Sequence, residues 1–177
     1  PLIDEAGRGY PRCGHGTAVA GLAALGRENH LNEFNGTVNA DAKLLSIKLS
    51  KNGNGHYSEQ SILNLLYRVK SKYPEIKIFV LTSCYNRFKP TNAKYGSYTL
   101  GLDKFSYETD SVIFISTGNN GEAINDNTSY DLSYFDNEKT NLSTPADSMN
   151  NVTVGAAADG LNNGVFVGVS TSKEYPT

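Results

Sequence analysis

The chain has 177 residues, 38% of them hydrophobic, which is enough for one domain with a buried core. Its 16 basic and 18 acidic residues give a formal net charge of −2 at pH 7, so charge offers no basis for binding nucleic acid. No apolar run is long enough to cross a bilayer. The composition therefore predicts neither a nucleic-acid partner nor a membrane partner.

The two cysteines, Cys13 and Cys84, are too few for a disulfide framework. They could form one bridge, but the sequence favours two free thiols in a reducing compartment, and therefore a cytoplasmic location over a secreted one. The chain opens at Pro1 without a basic and apolar segment of the kind that directs secretion. We expect it to be either an excised piece of a longer protein or a processed one.

The predicted elements alternate between helix and strand. Between residues 58 and 72, apolar side chains recur at helical spacing, and Ser58 can cap this helix. The largely apolar run at 76–82 predicts a strand that is buried on both faces. In chain order, we predict a helix from His15, a strand at 43–49, helices at 58–72 and 96–109 on either side of the strand at 76–82, and strands at 111–117, 151–158 and 164–170.

This alternation is typical of an α/β fold with a parallel sheet, in which ligands bind at the carboxyl ends of the strands. Polar residues follow two of the predicted strands. Ser83, Cys84 and Tyr85 come after the strand at 76–82, and the sequence GNNG begins at Gly118 after the strand at 111–117. Glycine lets the backbone turn sharply and approach a ligand closely. We therefore predict a binding site from these residues.

Four blocks of the sequence, in the same order, resemble the subtilisin-like serine peptidases (the subtilases). They are GHGTAVAG at 14–21, the segment from ADAKLLSIKL to SEQSI at 40–62, STGNNG at 116–121 and TPADSMNNVTVGAA at 144–157. The resemblance covers essentially the whole chain. It implies a three-layer α/β fold in which helices flank a parallel central sheet. Residues 1–177 would be the central part of that peptidase domain, incomplete at both ends.

The resemblance also implies the catalytic residues. His15 would be the general base, which takes a proton from a serine hydroxyl and returns it to the leaving amine. The small residues after it would let the helix pass close to the sheet. Asn119 would donate a hydrogen bond to the oxyanion of the tetrahedral intermediate. From the residues alone, His15 could instead be a core or capping histidine, and Asn119 could simply form a left-handed turn.

The substrate-binding residues implied in the same way are Ser83, Cys84, Tyr85 and Gly118, and the substrate would be a polypeptide. Subtilases usually have Ser-Leu-Gly where this chain has Ser83-Cys84-Tyr85. Because tyrosine replaces a bare glycine at the wall of the main specificity pocket, we expect the pocket to accept small side chains. The alternative is that the Tyr85 ring points to solvent, which would leave the pocket open.

No cofactor or metal is predicted. Subtilases often bind calcium, and the acidic stretch at 122–141 offers carboxylates, but it lacks the ligand spacing of a regular calcium loop, which favours a solvated surface. The GNNG turn could also suggest a phosphate-binding loop. Neither a G-x-G-x-x-G motif nor a Lys-Ser/Thr pair accompanies it, so we reject that alternative.

Two motifs of the family are missing from these 177 residues. The sequence contains neither the Asp-Ser/Thr-Gly motif expected before His15 nor the Gly-Thr-Ser-x-Ala motif expected after Asn119. Both omissions fall at the ends. We therefore predict a serine endopeptidase that acts through an acyl-enzyme, of which this chain would be an inactive fragment. The alternative is a non-catalytic subtilase-like module that binds peptides or partners. The sequence predicts no oligomeric state.

Overall fold

The structure is a computed structural model that describes residues 15–25, 40, 42–47, 49, 57–85, 88–118, 136–155, 161–162 and 165–166. The chain divides into two compact units, Pro1–Tyr57 and Ser58–Thr177. The first unit contains helix α1 (His15–Leu25). The second contains α2 (Glu59–Lys72), β1 (Ile78–Leu81), α3 (Ser97–Thr109), β2 (Val112–Ser116), a 3₁₀ helix (Glu138–Thr140), β3 (Val152–Val154), β4 (Leu161–Asn162) and β5 (Val165–Phe166).

In the first unit, α1 begins at His15 as predicted. The predicted strand at 43–49 is wrong for its described residues, 43–47 and 49, which lie in no strand. Leu44 and Leu45 in this segment are exposed. An apolar run becomes a strand only when a neighbouring strand pairs with it and a second layer covers its side chains.

Helix α2 confirms the predicted helix and its cap. The Ser58 side chain accepts a hydrogen bond from the backbone N–H of Ser61 at 3.1 Å, which satisfies one of the free donors of the first turn. Ile62, Leu66 and Val69 are buried at the helical spacing that the sequence shows.

The central sheet confirms the α/β prediction. Its three strands run parallel in the order β1-β2-β3, and α3 lies between β1 and β2 in the chain. The pair β4–β5 is antiparallel and forms a separate two-stranded sheet. The described part of the strand predicted at 164–170, Val165–Phe166, therefore pairs with β4 and not with the parallel sheet.

The core of the second unit lies between α3 and one face of the sheet. Phe105 of α3 is fully buried and meets the rings of Tyr67 and Phe79 edge to face, with centroids 5.1 and 5.3 Å apart. Ile113 and Ile115 of β2 are also fully buried. Helix α3 therefore covers this face of the sheet.

On the other face of the sheet, the edge strands β1 and β3 are exposed, which contradicts the prediction that the strand at 76–82 is buried on both faces. Ile78 is 64% exposed and Val80 is 56% exposed, whereas Phe79 and Leu81 between them are buried. Val152 and Val154 of β3 are exposed as well. Side chains alternate between the two faces of a strand, and α3 packs on the face that carries Phe79. Apolar sequence alone does not reveal which face a helix covers.

Candidate active site

The candidate site lies beyond the carboxyl ends of β1 and β2. These strands are parallel neighbours, with Leu81 paired to Ile115, so the segments that follow them leave the sheet at the same edge. Ser83–Tyr85 follow β1, and Thr117 and Gly118 follow β2. The sheet topology therefore brings together four of the residues predicted to bind substrate.

A third piece of chain, residues 142–146, joins the two strand ends, and we call it the bridging segment. The backbone N–H of Tyr85 donates to the carbonyl of Thr144 at 2.8 Å. On the other side, the N–H of Ser143 donates to the carbonyl of Thr117 at 2.9 Å. Two consecutive residues thus bind one strand end each, which fixes the spacing between the segment after β1 and the segment after β2.

The contact with the bridging segment continues along the chain after Tyr85. Phe88 forms an isolated antiparallel bridge with Ser143, and the N–H of Lys89 donates to the carbonyl of Leu142 at 2.9 Å. The Asn141 side chain donates to the carbonyl of Lys89, also at 2.9 Å. The wall that includes Tyr85 is therefore held by backbone hydrogen bonds.

Gly118 has a backbone conformation that requires glycine. Its φ is 129°, in a region that residues other than glycine rarely adopt. A Cβ added to Gly118 would lie 2.8 Å from Cβ of Ser143 and closer still to its Oγ. Ser143 is fully buried. The turn that leads to Asn119 is thus packed directly against the bridging segment.

The predicted substrate-binding side chains are accessible. Ser83, Cys84 and Tyr85 are all partly exposed, and Cys84 has a free thiol. These residues follow Leu81, the last residue of β1, which is buried. Their position fits one wall of a cleft.

The two predicted catalytic residues are described less fully. His15 is the first residue of α1, and its side chain lies outside the described residues. Asn119 follows Gly118 directly and also lies outside them. Their catalytic roles stay predictions.

Sequence analysis missed a polar stripe on the buried face of α3. Thr99, Asp103 and Ser106 follow at i, i+4 and i+7 and are all buried. The Thr99 hydroxyl donates to Asp147 at 3.0 Å, and the Ser106 hydroxyl donates to the Asn151 side chain at 2.6 Å. The stripe therefore binds residues 147–151, the segment that follows the bridging segment. The spacing of three polar residues among apolar ones was the available signal.

Asp103 is the centre of this stripe. Its carboxylate is 6% exposed and accepts hydrogen bonds from five donors. The donors are the hydroxyls of Tyr95 and Ser148, the backbone N–H groups of Met149 and Asn150 at 3.2 and 3.0 Å, and the amide of Asn151 at 3.2 Å. Burial raises the pKa of Asp103, but its hydrogen bonds outweigh burial and hold the pKa below its usual value.

A half-buried ion pair lies beside the stripe. Lys89 pairs with Asp147, and its ammonium lies over the ring of Tyr95, 5.4 Å from the centroid. Lys89 belongs to the segment that continues from Tyr85, whereas Asp147 belongs to the segment held by α3. The pair therefore ties the substrate-binding wall to the helix.

Neither metal ligands nor membrane helices occur in the described part of the chain. No three His, Cys, Asp or Glu side chains there come close enough together to hold a metal ion. Of the acidic residues considered for calcium, Glu122, Asp126 and Asp131 lie outside the described residues. None of the described helices is long and apolar enough to span a bilayer.

Comparison with known proteins agrees with the geometry. The chain matches the model of the Subtilase family over residues 4–175. Searches of curated proteins and of solved structures found no match. Because the family match spans nearly all of the 177 residues, and because the chain folds around a parallel sheet, this protein belongs to the subtilase family.

Proposed function

We propose that this chain is part of a serine endopeptidase that cleaves polypeptides through an acyl-enzyme. The observation that carries the proposal is the meeting of two strand ends at the bridging segment. One strand end presents Ser83–Tyr85, and the other turns at Gly118 toward Asn119. Family membership supports a peptidase, and this arrangement supports a cleft in which a peptide lies between the two strand ends.

In the proposed mechanism, the imidazole of His15 takes the proton of a serine hydroxyl as that oxygen attacks the scissile carbonyl. The carbonyl oxygen becomes negative and accepts a hydrogen bond from the amide of Asn119. His15 then returns the proton to the leaving amine, and water releases the acyl group by the same route. The serine and the carboxylate that orients His15 belong to motifs that these 177 residues do not contain.

The substrate would lie along Ser83–Tyr85. The N–H of Tyr85 is already bound to Thr144, so this wall holds its position before any peptide arrives. Such preorganisation lowers the cost of ordering the site on binding. We propose small side chains before the scissile bond as the preferred substrates, because Tyr85 adds a ring where other family members have only a backbone.

The proposed reaction draws its proton transfer and its oxyanion donor from side chains, and it needs no cofactor. We also propose a cytoplasmic location, which the free thiol of Cys84 supports. Beyond the polypeptide substrate, we propose no nucleic-acid or membrane partner.

The test uses the intact gene product and two histidine variants. His15→Ala should abolish cleavage of a fluorogenic peptide library, because no other group would take the serine proton. The matched control is His30→Ala, which changes a histidine of the same unit in a polar stretch and should keep cleavage within about twofold of the unchanged protein. Peptide binding without turnover in the unchanged protein would contradict the proposal and favour a binding module.

A second variant pair tests the oxyanion role. Asn119→Ala should lower kcat about 10²–10³-fold with little change in KM, a size taken over from a subtilisin asparagine rather than derived for this chain. Asn120→Ala changes the neighbouring asparagine and should have a far smaller effect. If Asn119→Ala raised only KM, the asparagine would contact the ground state and the proposed role would be wrong.

A further inference from the structure

Asp103 lies in the middle of α3, yet its hydrogen bonds lead toward the candidate active site. Its carboxylate holds Ser148, Met149 and Asn150 through one hydroxyl and two backbone N–H groups. These residues come directly after the bridging segment in the chain. A buried carboxylate that accepts several N–H and O–H groups fixes their positions more firmly than neutral hydrogen bonds would.

The segment from Ser143 to Ser148 is rigid enough to carry that constraint. The N–H of Ala146 donates to the carbonyl of Ser143 at 2.7 Å, and the N–H of Ser148 donates to the carbonyl of Pro145 at 3.1 Å. The Thr153 hydroxyl adds a hydrogen bond to the carbonyl of Ala146 at 2.6 Å. Two overlapping turns, tied to β3, therefore join Ser148 to Ser143.

Ser143 then sets the position of the turn before Asn119. Its N–H holds the carbonyl of Thr117, and its side chain lies where a Cβ of Gly118 would be. Gly118 makes this close approach with a φ of 129°, and a side chain at this position would overlap Ser143. A shift of Ser143 would therefore move the backbone that leads to Asn119.

We propose that Asp103 is a positioning residue for the oxyanion turn of this peptidase, acting through residues 148–150 and Ser143. The inference rests on the proposed function, in which Asn119 is the oxyanion donor. It assigns to a helix residue, which contacts no substrate, a role in the rate of the chemical step.

The charge of Asp103 is held by hydrogen bonds rather than by a cation. Among the ion pairs of the described residues, none includes Asp103. One carboxylate oxygen accepts from Met149, and the other accepts from Asn150. In Asp103→Asn, one of these oxygens becomes an NH₂ group, which cannot accept a hydrogen bond from an N–H. Whichever way the amide turns, the backbone N–H of Met149 or of Asn150 loses its acceptor, and we expect the segment to shift.

The experiment compares Asp103→Asn with Phe105→Leu in the intact gene product. Phe105 is on the same helix, but its ring contacts are with Tyr67 and Phe79, on the side of α2 and β1. The change Phe105→Leu therefore weakens packing without removing a hydrogen bond to residues 148–150. At a temperature where both variants are folded, Asp103→Asn should lower kcat about 10–100-fold with KM changed less than about threefold, as expected for a misplaced transition-state donor. Phe105→Leu should lower the melting temperature and leave kcat within about twofold.

Amide hydrogen exchange gives a readout that does not depend on activity. Asp103→Asn should speed exchange in residues 141–151 and at 117–118, whereas Phe105→Leu should speed it mainly in α2 and β1, whose aromatic rings it contacts. Unchanged exchange at 117–118, or an equal loss of kcat in both variants, would overturn the positioning role. If His15→Ala kept full activity, the proposed function would fail, while the exchange result would still decide whether Asp103 holds the turn.

Discussion

Asp103 makes the acid stability of the second unit depend on one buried carboxylate. Burial raises the pKa of Asp103, but hydrogen bonds from Ser148, Tyr95, Asn150 and Met149 lower it by more than burial raises it. The folded-state pKa therefore lies below the usual 3.8. The unfolded chain then binds more protons than the folded chain near pH 4. The stability that Asp103 contributes is present above the unfolded pKa and is lost as pH falls through the folded value.

We therefore expect urea unfolding midpoints to fall steeply below about pH 4, and to fall less steeply in Asp103→Asn. The control is Asp110→Asn. The pKa of Asp110 is also lowered, by its hydrogen bond to Lys77, but the Asp110 side chain is 94% exposed and its pair is screened by water. An acid slope that stayed the same in Asp103→Asn would show that other carboxylates control this transition.

Tyr85 should decide which side chains the cleft accepts. Its backbone is fixed by the hydrogen bond to Thr144, so its ring cannot be moved aside by shifting the strand. In the intact gene product, Tyr85→Gly should open the pocket and raise kcat/KM for peptides with Phe or Leu before the scissile bond. Each additional methylene group that the pocket accepts should strengthen transition-state binding by about 1–3 kcal/mol, which is about 10–200-fold in kcat/KM. A peptide-library profile would measure this. Tyr85→Phe is the control, since it keeps the ring, and an equal preference for large residues in all three proteins would exclude a blocked pocket.

At the level of elements, the site depends on the fit between the turn after β2 and the bridging segment. Gly118→Ala should destabilise the protein for two reasons: the φ of 129° is strained for alanine, and the new Cβ would overlap Ser143. The double variant Gly118→Ala/Ser143→Gly removes the overlap and keeps the strain. Chemical denaturation of the four proteins should therefore show partial recovery, with a coupling of about 0.5–3 kcal/mol. Additive changes in the free energy of unfolding would mean that there is no steric overlap between the two side chains.

Local elements could be predicted from the sequence where their signals are local. Helix α2 follows from a Ser58 cap and apolar residues at helical spacing, and both are confirmed. The segment at 43–49 has the composition of a strand, but its described residues form none, because strand pairing depends on partners distant in sequence. The same limit explains the exposed face of β1.

The sequence also predicts part of the candidate site, namely the residues placed there by the topology of the sheet. The meeting of Ser83–Tyr85 with Gly118 follows from the rule that parallel strands end at one edge. The bridging segment could not be predicted, because its two hydrogen bonds join residues far apart in the chain. Asp103 was missed for a related reason. The polar spacing in α3 indicates a polar stripe, but it does not identify the residues near position 150 that bind Asp103.

For the molecule as a whole, we expect the 177-residue chain by itself not to hydrolyse peptides. It contains neither the serine motif nor the aspartate motif of the family, so His15 would have no hydroxyl to deprotonate. A casein or fluorogenic-peptide assay of the purified chain would check this. Turnover that disappeared in both His15→Ala and Cys84→Ser would contradict it and indicate a thiol nucleophile.

The one-sided burial of the sheet has a consequence for handling the protein. A preparation of the purified chain would present Ile78 and Val80 of β1 and Val152 and Val154 of β3 to water as exposed aliphatic side chains of the parallel sheet. Surfaces of this kind attract one another and capture fluorescent dyes that report apolar patches. Such a preparation would be prone to precipitate as its concentration rose, and threonine in place of the two exposed β3 valines would keep the strand shape while making that surface wettable.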